Sequence, residues 1–294
     1  VAPEAMRTLA FAWWQQGRCD EAEALYADAL TRFRALEQPL GIGRCELGLG
    51  IAAYQRGDLD GAELRFERAR RGFAEGGVLR GVVDALGWAG ILSRRRGHNG
   101  EALQRFEDAV GAAESGGLRF AANAVRNSLG VTLRSQGRLA EADAVFQQVL
   151  AEAELLGSGE AVWPCINLGL LRLEAGEPGR ASSLLHRALR MLEDSGRVTF
   201  QGGVRVALLA CAGALGDWEA WTAEHDAALS ALERSPVPHP DIAATAERAA
   251  EHAQAAGRPA EARQALAIAE AQWSALGDAD AVDRVRDRLA LLRR

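Results

Sequence analysis

The sequence predicts an all-α protein built as a stacked array of about seven helix pairs, with one further helix sealing its C-terminal end. Three observations lead there. Glycine returns at a nearly constant step, at Gly17, Gly57, Gly97, Gly137, Gly176, Gly216 and Gly257, with spacings of 40, 40, 40, 39, 40 and 41 residues. A fixed period in this range marks an array of stacked repeat units. Apolar residues on both sides of each glycine recur at helical rather than strand spacing. The composition, 48% hydrophobic with only 6% aromatic and rich in Ala, Leu, Gly and Arg, suits closely packed helices better than a sheet core.

The repeats read as 1–39, 40–78, 79–118, 119–157, 158–197, 198–238 and 239–277, followed by a capping helix at 279–293. Residues 41–77 show the unit. A first helix carries apolar or small residues at Cys45, Leu47, Leu49, Ile51, Ala52 and Ala53, a helical and mostly buried spacing. Gly57 ends it, where a left-handed residue relieves the last carbonyls. Asp58 then supplies an N-cap. The second helix places Ala62, Phe66, Ala69 and Phe73 on one stripe at steps of four, three and four, and Gly76-Gly77 stops it. The other copies repeat the grammar. Five residues after the loop glycine stand Ala22, Ala62, Ala102, Ala142, Ala181 and Ala262; nine after it stand Tyr26, Phe66, Phe106 and Phe146, then Leu185 and Leu266. Seven before it are Gly50, Gly90, Gly130 and Gly169. A glycine inside a helix costs about 1 kcal/mol against Ala, so its return at one register implies a packing need. Pro178 and Pro259 open second helices, where Pro is tolerated. Copy 6 departs from the frame through Trp218, Ala220 and Trp221, and the stretch SPVPHP at 235–240 breaks the chain before copy 7. In the capping helix Val282, Val285, Leu289 and Leu292 share one side.

This Leu-Gly … Gly … Ala … Phe … Ala frame resembles the tetratricopeptide repeat (TPR) family over essentially the whole chain, most strongly in copies 2 to 5. Each unit is about six residues longer than the common length of roughly 34, similar to the long variety in the C-terminal sensor arrays of large bacterial signalling regulators. The resemblance implies a right-handed superhelical α-solenoid forming a single domain over 1–294.

Composition and motifs narrow the function. The net charge of −6 excludes a general nucleic-acid footprint. All 34 basic residues are Arg, which points to a GC-rich coding bias. Cys19, Cys45, Cys165 and Cys211 are far apart and read as free thiols of a reduced, cytoplasmic protein. No apolar run near 18 residues stands out, so no membrane span is expected. The five histidines form no metal-spaced cluster, and the glycines follow the repeat period rather than a phosphate-binding motif. The expectation is a protein without catalytic residues, metal or cofactor.

The resemblance also implies where binding occurs, because first helices line the inner, concave face of such arrays. Carried over by register, that face contains Arg7, Phe11, Trp14 and Gln15 in copy 1, and Arg44, Leu47, Ile51, Tyr54 and Gln55 in copy 2. Copy 3 adds Asp84, Ile91, Arg94 and Arg95; copy 4 adds Asn123, Asn127, Val131 and Arg134. Copy 5 adds Trp163, Ile166, Leu170 and Glu174; copies 6 and 7 give Val206, Ala210, Glu247 and Glu251. Arg with flanking aromatics is the composition of binding hot spots, and Asn123 and Asn127, four apart, offer amides to a peptide backbone. The expected partner is a protein or peptide, acidic and partly apolar, with no direct nucleic-acid or membrane contact.

The leading reading is a protein-interaction or sensor module, a piece of a larger bacterial signalling or transcription-regulatory protein. Two alternatives stand beside it. One is a peptide or small-ligand receptor domain. The other is a self-associating scaffold, joined through an apolar N-terminal edge around Leu9, Ala10 and Trp13.

Overall fold

A computed structural model describes residues 2–15, 18–157, 159–235 and 238–292, apart from the side chains of Gln15 and Cys19. Every described element is helical. In chain order they are α1 (Pro3–Gln15), α2 (Cys19–Ala35), α3 (Pro39–Arg56), α4 (Leu59–Glu75), α5 (Leu79–Arg95), α6 (Asn99–Ser115), α7 (Arg119–Ser135) and α8 (Leu139–Leu155). There follow α9 (Val162–Glu174), α10 (Pro178–Asp194), α11 (Gln201–Leu215), α12 (Trp218–Arg234), α13 (Pro240–Ala255), α14 (Pro259–Leu276) and α15 (Ala279–Leu291). Odd and even helices up to α14 alternate as first and second helices; α1 to α7 pack in sequence within residues 1–145, α9 to α14 pack together within residues 146–294, and α15 packs on α14. The chain divides into two compact units, residues 1–145 and 146–294.

Local chemistry sets these boundaries. Gly57, Gly97, Gly137, Gly176, Gly216 and Gly257 all have φ between 70° and 82°, a region that penalises any residue with a Cβ. Gly17 lies outside the described residues. Asp58 caps α4 by accepting from the Gly61 amide at 2.9 Å, and Asp217 and Asp278 cap α12 and α15 the same way. Pro178 and Pro259 occupy the first turns of α10 and α14. Residues 236 and 237 of the SPVPHP stretch are outside the description; Pro240 opens α13. The cap ends at Leu291, and residue 293 is likewise outside.

The recurrent in-helix glycines have the packing cause their register implied. A Cβ on Gly50 would lie 2.7 Å from the Phe66 ring, one on Gly90 2.6 Å from Phe106, and one on Gly169 2.7 Å from Leu185. Each of these side chains fills the space a methyl group would need. Copy 6 solves the same problem differently. Fully buried Trp221 takes the place of the usual small residue, lies over Gly213, and donates its indole N–H to Gln264 at 3.2 Å.

Within unit 1 the buried residues form several small clusters, each centred on a second-helix aromatic such as Tyr26, Phe66 or Phe106. Unit 2 has one continuous cluster running from Val162 to Val285. Its centre is α11, and here a sequence expectation needs correction. Val198–Leu215 is an 18-residue stretch with mean hydropathy 1.5, long and apolar enough by composition to cross a membrane. Its apolarity is explained by packing, because 61% of it is buried inside unit 2. Cys45, Cys165 and Cys211 are free and buried, and burial pushes the Cys45 and Cys211 thiols up to about 12. They behave as small apolar side chains.

Candidate functional site

A concavity in unit 1 is built by the first helices of copies 1 to 3. Arg7 and Phe11 enter it from α1; Arg44, Leu47, Gly48 and Ile51 from α3; Arg80, Gly81 and Asp84 from α5. Spacings of three and four along each helix put these residues on one face. The groove holds about 320 Å³. Its floor comes from the layer behind, from Tyr26 of α2, Phe73 of α4 and Val78. Two glycines let that floor through. A Cβ on Gly48 would sit 2.7 Å from the Tyr26 ring, and one on Gly81 2.2 Å from the Phe73 ring.

The rim is charged. Glu4 Oε1 accepts from Arg7 Nη2 at 2.7 Å and from Arg44 Nη1 at 3.1 Å, so one carboxylate bridges α1 and α3. The Arg7 hydrogen bond holds the Glu4 carboxyl below its ordinary value, with Arg44 adding to the effect. Arg80 Nε donates to Asp84 Oδ1 at 2.9 Å. Three guanidiniums therefore face two carboxylates around an apolar floor. Ion pairs this exposed contribute little stability, so a ligand carboxylate can exchange with Glu4 or Asp84 at small cost.

A row of aromatics runs along the C-terminal ends of the same helices. Trp14 stacks on Phe11 at 6.2 Å and donates to Gln55 Oε1 at 3.2 Å. Tyr54 meets Trp88 edge-on at 5.8 Å, and the Arg95 guanidinium lies 4.6 Å from the Tyr54 ring centre while donating to the Tyr54 carbonyl at 2.6 Å. The first helices here are also basic. α5 carries Arg80, Arg94 and Arg95 against Asp84, and α7 carries Arg119, Arg126 and Arg134 with no acidic residue. The second helix between them, α6, carries Glu101, Glu107, Asp108 and Glu114 against Arg105 alone.

Of the residues expected to bind, Arg7, Phe11, Arg44, Leu47, Ile51 and Asp84 line the groove, and Trp14 and Tyr54 stand beside it. Arg94 is half-buried at the end of α5. Asn123 is turned inward, 3% exposed, and its Oδ1 accepts from Arg126 Nη1 at 3.2 Å, so it offers no amide to an open face. Its helical neighbour Asn127 is half-buried and engaged, as is Arg134. In unit 2, Trp163 is half-buried, edge-on to Phe200 at 4.6 Å, and Ile166 packs on the core. Leu170, Val206 and Ala210 are buried outright, and Glu247 binds Trp273, Arg284 and Arg288. The N-terminal edge is only partly open: Leu9 is exposed, Ala10 is buried, and Arg18 covers the Trp13 ring at 4.4 Å. Register alone missed Arg80 and the floor residues Tyr26, Phe73 and Val78. The signal for the floor was present, since Gly48 and Gly81 leave openings that second-helix rings fill. No group of three or more His, Cys, Asp or Glu side chains suited to a metal ion occurs among the described residues.

Residues 2–75 and 124–158 match family profiles described as tetratricopeptide repeat. No curated protein sequence matches the chain significantly. Among solved structures, the apo form of RapI superposes with a TM-score of 0.72 at 9% identity, covering 94% of this chain and 99% of that one. The Rap conjugation gene regulator of the plasmid pLS20, in complex with the Phr* peptide, gives 0.68 at 15% identity, covering 90% and 73%. A signal-transduction ATPase with numerous domains and a tetratricopeptide-repeat sensor, from Pyrococcus horikoshii, gives 0.68 at 13% identity. This chain is covered to 98% in that match but spans only 44% of the ATPase. At such identities the likeness is one of fold.

Proposed function

We infer that this chain, which belongs to the tetratricopeptide-repeat family, is a non-catalytic binding module whose unit 1 groove takes an extended, acidic and partly apolar peptide segment. One observation carries the reading: Arg7, Arg44 and Arg80 ring an open groove walled by Phe11, Leu47 and Ile51 over the apolar floor of Tyr26, Phe73 and Val78. A cationic rim around an apolar floor favours a ligand with carboxylates flanking a large apolar side chain. The fold likeness to a regulator solved with a peptide supports a peptide ligand. Likeness to the sensor region of a larger ATPase supports a sensing role within a longer, cytoplasmic signalling protein.

Selection of peptides from a random display library on the purified protein tests this. Selected sequences should be enriched in Asp or Glu near Leu, Ile or Phe, and their affinity should fall with added salt. Arg44→Glu combined with Arg80→Glu should weaken the selected peptides by at least about tenfold, roughly 1.4 kcal/mol, without altering the melting temperature. Peptides with no acidic preference, or binding indifferent to the double reversal, would defeat the reading.

A further inference from the structure

The junctions between successive repeats carry a pattern that does not involve the groove. At each junction two positions face each other: one seventeen residues after a loop glycine, on the second helix, and one eleven residues before the next loop glycine, on the following first helix. Between repeats 1 and 2 these are Arg34 and Glu46. Glu46 is completely buried and accepts from Arg34 Nη2 at 2.6 Å and from Arg65 Nη1 at 3.1 Å, with Arg68 Nη1 at 3.9 Å. Between repeats 3 and 4 the signs are exchanged: buried Arg126 pairs with Glu114 and donates to Asn123. Between repeats 5 and 6 Arg205 lies between Glu193 Oε1 at 3.0 Å and Glu224 Oε2 at 3.2 Å.

The triad Arg34–Glu46–Arg65 thus maps onto Glu193–Arg205–Glu224 at the same repeat positions with every charge reversed. The alternate junctions place Leu86, Cys165 and Ala246 at the central position; Leu86 and Ala246 pack in apolar clusters, and Cys165 is buried near the Arg187–Glu154 ion pair. Charged and uncharged residues therefore alternate at the central position along the chain.

Packing alone does not call for these charges. Burying an ion pair costs desolvation that its attraction barely recovers, and apolar replacement is often neutral or stabilising. Leu86 occupies the same position with no charge at all. What a buried charge adds is discrimination between partners. A repeat array needs it, because every repeat offers nearly the same Ala, Gly and Phe frame and a wrong neighbour fits almost as well. Setting the first helix of repeat 6 against repeat 1 would bury Arg205 beside Arg34.

We propose that the charged junctions are pairing keys: they dictate which repeat stacks on which, within one chain and against repeats of a second copy. Three variants of the full chain test it. Glu46→Arg alone should lower the melting temperature by roughly 10 °C, because it sets a buried guanidinium among Arg34, Arg65 and Arg68 with no carboxylate. Adding Arg34→Glu and Arg65→Glu rewrites the key in the polarity of the repeat 5–6 junction and should recover most of that loss. The apolar variant Arg34→Ala/Glu46→Leu/Arg65→Ala should melt no lower than the parent. On refolding at high protein concentration, however, it should give at least about twice the parent's fraction of intertwined dimers and larger species by light scattering. The proposal is overturned if the reversed triad melts as low as Glu46→Arg, or if the apolar variant refolds to monomer as cleanly as the parent. An apolar variant that does not fold would also overturn it, since the charges would then serve packing rather than choice of partner.

Discussion

The first helices of unit 1 stand apart, whereas two of those in unit 2, α11 and α13, close on one another. In unit 1, α1, α3 and α5 meet mainly through the second helices between them, and their facing side chains are long: Arg7, Phe11, Arg44, Leu47 and Ile51. In unit 2, α11 packs directly along α13. The facing residues there are small, with Val206, Ala210 and Gly213 on one side and Ala246, Ala249, Ala250 and Ala253 on the other. Small side chains let helix axes approach until no groove is left between them. One helix-pair frame thus yields an open site or a sealed core, depending on the volume of a few residues per turn. The cores differ accordingly, with local clusters in unit 1 and a continuous one in unit 2.

The largest effect should come from breaking the continuous core. Trp221 is completely buried, and Trp221→Ala should cost about 3–5 kcal/mol. If the unit 2 core is one cooperative body, the loss of hydrogen-exchange protection should extend from α9 to α15. The equivalent insult in unit 1, Phe66→Ala, should cost a similar amount while sparing amides in α6 and α7. A Trp221→Ala effect confined to α11, α12 and α14 would dissolve the contrast.

A smaller effect probes how unit 1 keeps its groove floor. Phe73 lies over Gly81, and Phe33 over Gly41, where a Cβ would meet the ring at 2.2 Å in each case. One repeat later the same two positions are Ala113 and Ala121, both buried. The chain therefore uses two solutions to one volume requirement, large against none and small against small. Gly81→Ala should cost about 1–3 kcal/mol through overpacking. Phe73→Ala/Gly81→Ala, which copies the third junction, should cost less than the two single changes added together, measured by urea unfolding. Strict additivity would show that the ring and the glycine are not a matched pair.

These matched pairs explain how much the sequence disclosed. The fold was legible because the loop glycines, the small residues after them and the plugging aromatics are imposed by geometry that recurs every repeat. The repeats act as an internal alignment. Half of the groove was legible for the same reason, since register placed Arg7, Phe11, Arg44, Leu47, Ile51 and Asp84 on one face. Register fails where neighbours decide exposure. Asn123 has the same helical position as an open-face residue, yet Arg126 three residues on draws its side chain into a junction. Trp163 looks like a hot-spot aromatic until Phe200, 37 residues away in sequence, lies against it. The floor was hidden because it belongs to second helices seen through Gly48 and Gly81. The charged junctions were hidden because their partners stand 12 and 19 residues apart, beyond any single-helix pattern.

The smallest expected effect sharpens the comparison at a single turn. A second glycine series ends the second helices, at Gly77, Gly117, Gly157, Gly196 and Gly277, all with φ between 58° and 73°. At the equivalent place in repeat 1 stands Glu37, the one non-glycine among the described residues with positive φ, at 50°. A residue with a Cβ is disfavoured there by about 1–2 kcal/mol, while glycine gives back part of that advantage through its freer unfolded chain. Glu37→Gly should therefore stabilise the protein by about 0.5–1 kcal/mol, read from urea unfolding. Because the clusters of unit 1 are local, the added protection against hydrogen exchange should concentrate in α2 and α3, the helices this turn joins. A gain spread evenly over α1 to α7 would mean that unit 1 unfolds as one body, as cooperative as unit 2 despite its divided core.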